Sequence, residues 1–179
     1  MKYILHQTYK VVLVVSFIST LVFAQGSIKS NQYVNNKVEV GIESIIKDGE
    51  DYIISIYAIN PYDPIAGVQF KFFPEDLFII KEVYGGRCEE KGFQMHHNKS
   101  GTILGFSMVA NTLDPSTIVS GPSKLNENIV LNIKASPNKI QEYNSIENDI
   151  DIMLECVFAS KKGLVLESNY VPFKISQIK

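Results

Sequence analysis

Short runs of alternating apolar and polar residues follow one another along the chain from residue 38 onward. The clearest run is 65–72, which places Ala66, Val68, Phe70 and Phe72 on one face and Gly67, Gln69 and Lys71 on the other. A period of two predicts a half-buried strand and not a helix. A second run, 102–108, also contains a single glycine, Gly105. Because glycine inside a strand marks a bulge or a close approach, we expect an aromatic side chain from a neighbouring strand to cover Gly67 and Gly105.

Further runs of this kind are separated by turn residues. They predict strands at 38–43, 51–59, 77–83, 93–97, 129–133 and 150–158, with short closing segments at 164–166 and 170–173. The first two form a hairpin around Asp48-Gly49, a favoured hairpin dipeptide. Residues 87–92 are predicted to be a charged loop, and 136–149 to contain one or two helical turns. Short strands at this spacing, without a long amphipathic helix, predict an all-β antiparallel sandwich with jelly-roll topology and about nine strands.

The first 24 residues have the pattern of a secretory signal peptide. Lys2 and Lys10 precede an almost wholly apolar run, and Val22-Phe23-Ala24 supplies small residues for cleavage after Ala24. An uncleaved membrane anchor is the alternative, but the run is shorter than the roughly 20 residues that span a bilayer. We therefore expect a signal peptide at 1–24, a polar leader at 25–37, one folded domain at 38–179, and a secreted product without a membrane span.

Composition narrows the class of protein further. The 179 residues suit a single domain, and 45% of them are hydrophobic and 20% charged, as in ordinary globular proteins. The formal net charge of −2 lies too close to neutrality to favour nucleic acid as a partner. Cys88 and Cys156 both follow the predicted signal peptide, so export would permit a disulfide between them. The alternative is two unpaired thiols, with Cys156 as a core residue of the last strong strand.

Several short motifs occur in the order found in cohesin-like domains. They are Ile65-Ala66-Gly67-Val68-Gln69-Phe70, Gly85-Gly86, Gly92-Phe93, Leu104-Gly105-Phe106-Ser107 and Cys156-Val157-Phe158-Ala159-Ser160. Over residues 38–170 the chain thus resembles the cohesin and carbohydrate-binding module superfamily. The resemblance implies a nine-stranded jelly-roll sandwich that binds a dockerin-type protein or a polysaccharide without catalysis. The chain departs from the family at 111–124 and 136–149, which appear as a longer loop and an insertion.

Residues with catalytic or ligand-binding chemistry give only weak signals. His96 and His97 are adjacent on a predicted strand, so they point to opposite faces and cannot share a metal ion. We predict no catalytic residue, no metal and no cofactor. Tyr57, Tyr62 and Tyr84 lie near strand ends, where their rings could stack on a sugar or simply pack at the rim. Asn98-Lys99-Ser100 is an N-glycosylation sequon in a predicted turn.

The leading functional hypothesis is a secreted, non-catalytic binding module for a polysaccharide or a dockerin-type protein. A structural surface-assembly protein of the same fold is the alternative, and a secreted hydrolase is a distant third.

Overall fold

The computed structural model describes residues 37–98, 101–116, 126–140, 142 and 150–179. The predicted signal peptide, nearly all of the predicted leader, and parts of the loops at 117–125 and 143–149 lie outside these residues. The eleven described strands are β1 (Val38–Asp48), β2 (Asp51–Ile59), β3 (Ile65–Phe73), β4 (Phe78–Tyr84), β5 (Gln94–His97), β6 (Thr102–Phe106), β7 (Ile129–Pro137), β8 (Asp151–Ser160), β9 (Val165–Leu166), β10 (Ser168–Val171) and β11 (Phe173–Lys174). One short helix, α1 (Gly86–Glu90), follows β4.

The strands form two sheets. The five-stranded sheet has the order β10-β1-β2-β7-β4, and the six-stranded sheet has the order β11-β8-β3-β6-β5, with β9 also paired to β8. Every described pair is antiparallel except β1 with β10, which is parallel. The all-β sandwich predicted from the sequence is confirmed. The count exceeds nine because β9 and β11 are only two residues long.

The core lies between the two sheets and is rich in aromatic rings. Phe70 of β3 packs edge-to-face on Phe158 of β8, with ring centroids 5.7 Å apart. Phe72 of the same strand crosses the sandwich to Phe78 of β4 at 5.8 Å. Burying such a side chain contributes roughly 1.5–3 kcal/mol, so the inward face of β3 joins the two sheets.

At its first residues, β3 departs from simple alternation of buried and exposed side chains. A bulge between Ile65 and Gly67 shifts its pairing with β8. As a result Ile65 and Val68 are both buried, whereas Ala66, expected on the core face, is only half-buried. A bulge inserts one unpaired residue and so changes which side chains face inward.

The sequence-based expectation for residues 87–92 is wrong. The expected charged loop at 87–92 begins as α1, which follows two glycines in the left-handed region, Gly85 (φ 69°) and Gly86 (φ 63°). A Cβ on Gly86 would lie 2.6 Å from the Val130 carbonyl carbon, so only glycine lets the helix approach β7.

The glycine contacts also differ from expectation. Gly105 is covered by Met95, whose sulfur would lie 2.6 Å from an added Cβ, and not by an aromatic ring. Gly67 has nothing closer than the Ala159 Cβ at 3.6 Å from such a position. The glycine beneath an aromatic ring is Gly41, which lies under Tyr57 of the adjacent β2.

Candidate functional site

The outer face of the six-stranded sheet carries most of the large apolar side chains that protrude from a sheet. Phe73, Leu104, Met153 and Val165 have 37%, 43%, 43% and 59% of their surface exposed. They lie there because alternation along β3, β6 and β8 directs every second residue away from the core. We call this surface the six-strand face. A contiguous exposed apolar surface commonly marks an interaction site.

Strand register places these side chains in rows across the sheet. Val157 of β8, Gln69 of β3 and Leu104 of β6 are consecutive partners and form the central row. The next row runs from Ala159 through Gly67 to Phe106. At the opposite end of the face, Met153 pairs with Phe73. Between the central row and this pair lies a polar row of Glu155, Lys71 and Thr102, which divides the apolar surface into two patches.

The charged row of this face is formed by Glu155 of β8 and Lys71 of β3, which are register partners. The Lys71 ammonium forms an ion pair of 2.7 Å with Glu75 and also lies 5.3 Å from the centroid of the Phe73 ring. His96 stacks on Phe106 with ring centroids 5.8 Å apart. These contacts hold Lys71 and His96 against aromatic rings, whereas Glu155 on the same face is exposed and forms no ion pair with another described residue.

The outer face of the five-stranded sheet is more polar. Asp51 accepts hydrogen bonds from Lys81 (2.6 Å) and Ser136 (3.0 Å), and Lys134 reaches Asp48 at 3.4 Å. The hydrogen bond from Lys81 is the main cause that lowers the pKa of Asp51. Beside these groups an open polar cavity of about 420 Å³ is lined by Lys47, Gly49, Glu50, Asp51, Tyr52, Lys81, Ser136 and Pro137. Asp48, Asp51, Lys81 and Lys134 are thus paired within the protein, whereas Glu82 forms no ion pair with another described residue. This sheet also exposes the apolar side chains of Ile46, Ile79 and Val171.

A buried polar network fixes the loops at one end of the sandwich. Asn60 is almost wholly buried, and its side-chain nitrogen Nδ2 donates to the backbone carbonyls of Asp63 (2.9 Å) and Asp114 (3.2 Å). Its side-chain oxygen accepts from Arg87 (3.1 Å) and Ser116 (3.2 Å). Arg87 also donates to the Asp114 carbonyl and to the Ala58 carbonyl. Burial lowers the pKa of Arg87. Both of its terminal nitrogens donate to backbone or side-chain oxygen, which is the pattern of a structural arginine.

The three tyrosines suggested as sugar platforms do not share an environment. Tyr57 is buried, packs over Gly41 and donates to Glu39 at 3.2 Å. Burial and the Glu39 charge raise its pKa to about 12. Tyr84 is half-buried at the end of β4, and Tyr62 is exposed in the turn after β2. The ring of Tyr57 offers no free surface for stacking, which leaves Tyr62 as the exposed one of the three.

Both cysteines are free thiols in this structure. Cys88 is buried on α1, next to the five-stranded sheet, whereas Cys156 lies on β8 of the other sheet. Burial raises the pKa of each thiol to about 12. The two residues are in separate layers of the sandwich, and the disulfide that the sequence left open is not formed.

The remaining candidates are on the β5–β6 hairpin. Asn98 is exposed, and its side-chain oxygen accepts from the Thr102 backbone at 3.0 Å. The rest of its sequon lies outside the described residues. Among the described residues there is no group of three or more His, Cys, Asp or Glu side chains that could hold a metal ion. Within the same residues no helix is long and apolar enough to cross a membrane.

Comparison with known proteins supports the fold. No family model and no curated sequence matches the chain. Solved cohesin structures do match it. A non-cellulosomal cohesin from the archaeon Archaeoglobus fulgidus shares 10% identity and a TM-score of 0.51, over 77% of this chain and 88% of that one. The sixth cohesin of scaffoldin B from Acetivibrio cellulolyticus, in complex with a mutant dockerin, shares 6% identity and a TM-score of 0.50, over 77% of this chain and 96% of that one. The described domain is a jelly-roll sandwich with the cohesin fold.

Sequence reasoning missed the Asn60 network and the asymmetry between the two outer faces. Asn60 precedes Pro61 in a turn-like stretch, where asparagine is expected to be solvated. Only its contacts with Arg87 and Ser116, distant in sequence, reveal its burial. Alternation did place Leu104 and Phe106 on one face of β6, but Ile103 on the other face is equally apolar, so the pattern alone did not say which face is exposed.

Proposed function

We propose that this domain is a non-catalytic protein-recognition module that binds a dockerin-type partner through the six-strand face. One observation carries the proposal: the six-strand face exposes Leu104, Met153, Phe73 and Val165, while the exposed apolar residues of the other sheet, Ile46, Ile79 and Val171, share it with the ion pairs of Asp51 with Lys81 and Asp48 with Lys134. The cohesin fold supports it, because one structure with that fold contains a dockerin.

The chemistry of the face is that of a protein interface. Leu104 and Val157 flank Gln69 in the central row, and Phe73 and Met153 lie at one end. Apolar side chains beside polar ones, with Phe and Met among them, fit the composition of protein interfaces. Leu104 occupies the central position, between the rows that contain Phe106 and Thr102. Residues near the centre of an interface tend to dominate its binding energy. Leu104 is therefore the residue whose change should be most damaging to binding.

Binding can be tested by titrating the purified protein against a panel of dockerin domains in a calorimeter. We expect micromolar or tighter binding of at least one dockerin, and a loss of at least 30-fold in Leu104→Asp. Ile79→Asp is the matched control, since Ile79 has 49% of its surface exposed on the other sheet. Equal losses in both variants, or no binding by any dockerin, would contradict the proposal. A glycan array run beside the titration tests polysaccharide instead.

We also propose that the protein is exported. The charged start, apolar run and Val22-Phe23-Ala24 of residues 1–24 support this, and the segment lies outside the described residues. Intact-mass measurement of the product expressed in its own host tests cleavage after Ala24. A cell-associated product that retains residues 1–24 would show an anchor instead.

A further inference from the structure

The turn between β8 and β9 is a tightly hydrogen-bonded structure. The Ser160 backbone donates to the Leu164 carbonyl at 2.8 Å, and Gly163 donates back to the Ser160 carbonyl at 2.9 Å. The Leu164 backbone also donates to the Ser160 hydroxyl at 3.2 Å. Gly163 has φ 75°, a conformation that glycine adopts without strain. Because the turn is fixed by these bonds, a partner that contacts it pays little to order it.

This turn exposes apolar surface next to positive charge. Leu164 and Val165 have 53% and 59% of their surface exposed. Lys161 and Lys162, just before them, are exposed and form no ion pair with any other described residue. The next acid along the chain, Glu167, is paired with Lys37 at 3.5 Å. The end of the six-strand face therefore combines two aliphatic side chains with two uncompensated ammonium groups.

The surface beside Val165 is depressed, because small residues lie next to it. Val165 pairs with Ala159, Ala159 pairs with Gly67, and Gly67 pairs with Phe106. Two small residues thus lie between two larger apolar ones. An added Cβ on Gly67 would meet the Ala159 Cβ at 3.6 Å and the Gly105 carbonyl oxygen at 3.7 Å, which are ordinary contact distances, so a methyl-sized group fits above this glycine. A side chain of a partner can enter here between Val165 and Phe106.

We propose that this end of the face binds an acidic segment of the partner protein, in which aliphatic side chains are followed by Asp or Glu. The aliphatic side chains cover Leu164, Val165 and the low surface over Gly67, and the carboxylates pair with Lys161 and Lys162. Complementary charge raises the association rate and selects against basic partners. This inference rests on the proposed function and specifies the chemistry of the partner that the face accepts.

Synthetic peptides provide the probe. Twelve-residue peptides that contain two leucines followed by Asp-Glu are compared with the same peptides carrying Lys-Arg or Ser-Ser, at up to 1 mM, on the immobilised protein. We expect the acidic set to bind at least fivefold more tightly than the others, with affinity falling between 0.05 and 0.5 M NaCl because exposed charges are screened over shorter distances at higher salt. No binding of the acidic set, or equal binding of all sets, overturns the inference.

Two substitutions locate the contact. Lys162→Glu should weaken the acidic peptides about fivefold or more, while Lys47→Glu, the same charge change at an exposed lysine of the five-stranded sheet, should leave them unchanged. Leu164→Ser should weaken binding, whereas Ile79→Ser should not. If both members of a pair behave alike, binding does not use this turn and the inference is wrong.

The same variants separate this inference from the proposed function. A dockerin that binds wild type and Lys162→Glu equally overturns the acidic partner and leaves the six-strand face intact. If no dockerin in the panel binds but the acidic peptides do, the proposal of a dockerin partner is wrong and the inference about the β8–β9 turn stands. Self-association that Lys162→Glu abolishes, or binding of polygalacturonate in place of the peptides, would assign the turn to a second copy of the chain or to an anionic polysaccharide, and either result overturns the inference.

Discussion

Replacing Asn60 with alanine tests how much the buried polar network stabilises the fold. The change deletes a side-chain oxygen that accepts from Arg87 and Ser116, and an amide nitrogen whose nearest acceptors are the carbonyls of Asp63 and Asp114. The nitrogen also lies 3.4 Å from the Leu113 carbonyl, but its two hydrogens allow only two full bonds. The side chain therefore supplies about four hydrogen bonds.

The cost follows from those four bonds. A net hydrogen bond contributes about 1 kcal/mol, and a buried donor left without an acceptor costs at least as much. Water can reach part of the site at half-buried Ser116, which lowers the sum. We expect Asn60→Ala to lower the free energy of unfolding by about 3 kcal/mol. With a urea dependence of about 2 kcal/mol per molar, the unfolding midpoint should fall by about 1.5 M.

Equilibrium unfolding in urea, followed by circular dichroism, measures the change. Asn138→Ala is the control, because Asn138 is exposed in a turn and a surface change of this kind costs less than about 0.5 kcal/mol. The unfolding midpoint of Asn60→Asp should lie between those of wild type and Asn60→Ala. The carboxylate still accepts a hydrogen bond from Arg87, but its second oxygen replaces a donor that faced the carbonyls of Asp63 and Asp114. If the midpoint of Asn60→Ala falls no further than that of Asn138→Ala, at an unchanged slope, the network is not a stabilising element.

Three further predictions concern strand glycines, ionisation and thiol reactivity. Gly41→Ala places a Cβ 2.8 Å from the Tyr57 ring and should lower the free energy of unfolding by about 1–3 kcal/mol. Gly67→Ala meets only a contact of 3.6 Å and should change that free energy by less than about 0.5 kcal/mol. Thermal melting compares the two variants, and equal shifts in melting temperature would show that the Tyr57 ring moves aside at little cost. An unfolded tyrosine ionises near pH 10, but burial raises the pKa of Tyr57 in the folded protein to about 12. The wild-type protein should therefore lose stability as the pH rises from about 10 to 12, and Tyr57→Phe should lose less over that range, as measured by urea unfolding at several pH values. Equal losses in the two proteins would argue against a buried phenol. Burial raises the pKa of Cys88 to about 12 and makes its side chain inaccessible. Iodoacetamide at pH 8 should therefore label Cys88 only after unfolding, as measured by mass spectrometry. Rapid labelling of the native protein would mean that α1 opens.

Period-two alternation and turn chemistry were sufficient to predict most of the architecture. Alternation identified β3, and Asp48-Gly49 identified the β1–β2 hairpin, with Gly49 at φ 64°. These signals are local, because strand period and turn type depend on neighbouring residues. The sandwich class followed from their number and spacing.

The features that the sequence did not predict depend on contacts between distant residues. The helix α1 has only five residues, too few for a helical period, and its position depends on the close approach of Gly86 to β7. Met95 covers Gly105 from an adjacent strand, a pairing that composition does not specify. The parallel pairing of β10 with β1 joins segments far apart in sequence. The candidate site became visible only when the register showed which apolar residues were left outside.

The parallel pairing of β10 with β1 has a consequence for how the domain avoids aggregation. Without β10, the long strand β1 would present a row of unpaired backbone groups, which is a template for other chains. Ser168–Val171 covers Val38–Gly41, and the Lys179 backbone exchanges hydrogen bonds with Ile45 and Lys47 further along β1. The edge of β1 is thus closed by a segment that follows every other strand of this sheet along the chain. Until that segment is synthesised, β1 in the nascent chain has an unpaired edge, so the sheet is protected against edge-to-edge pairing only after β10 has been made.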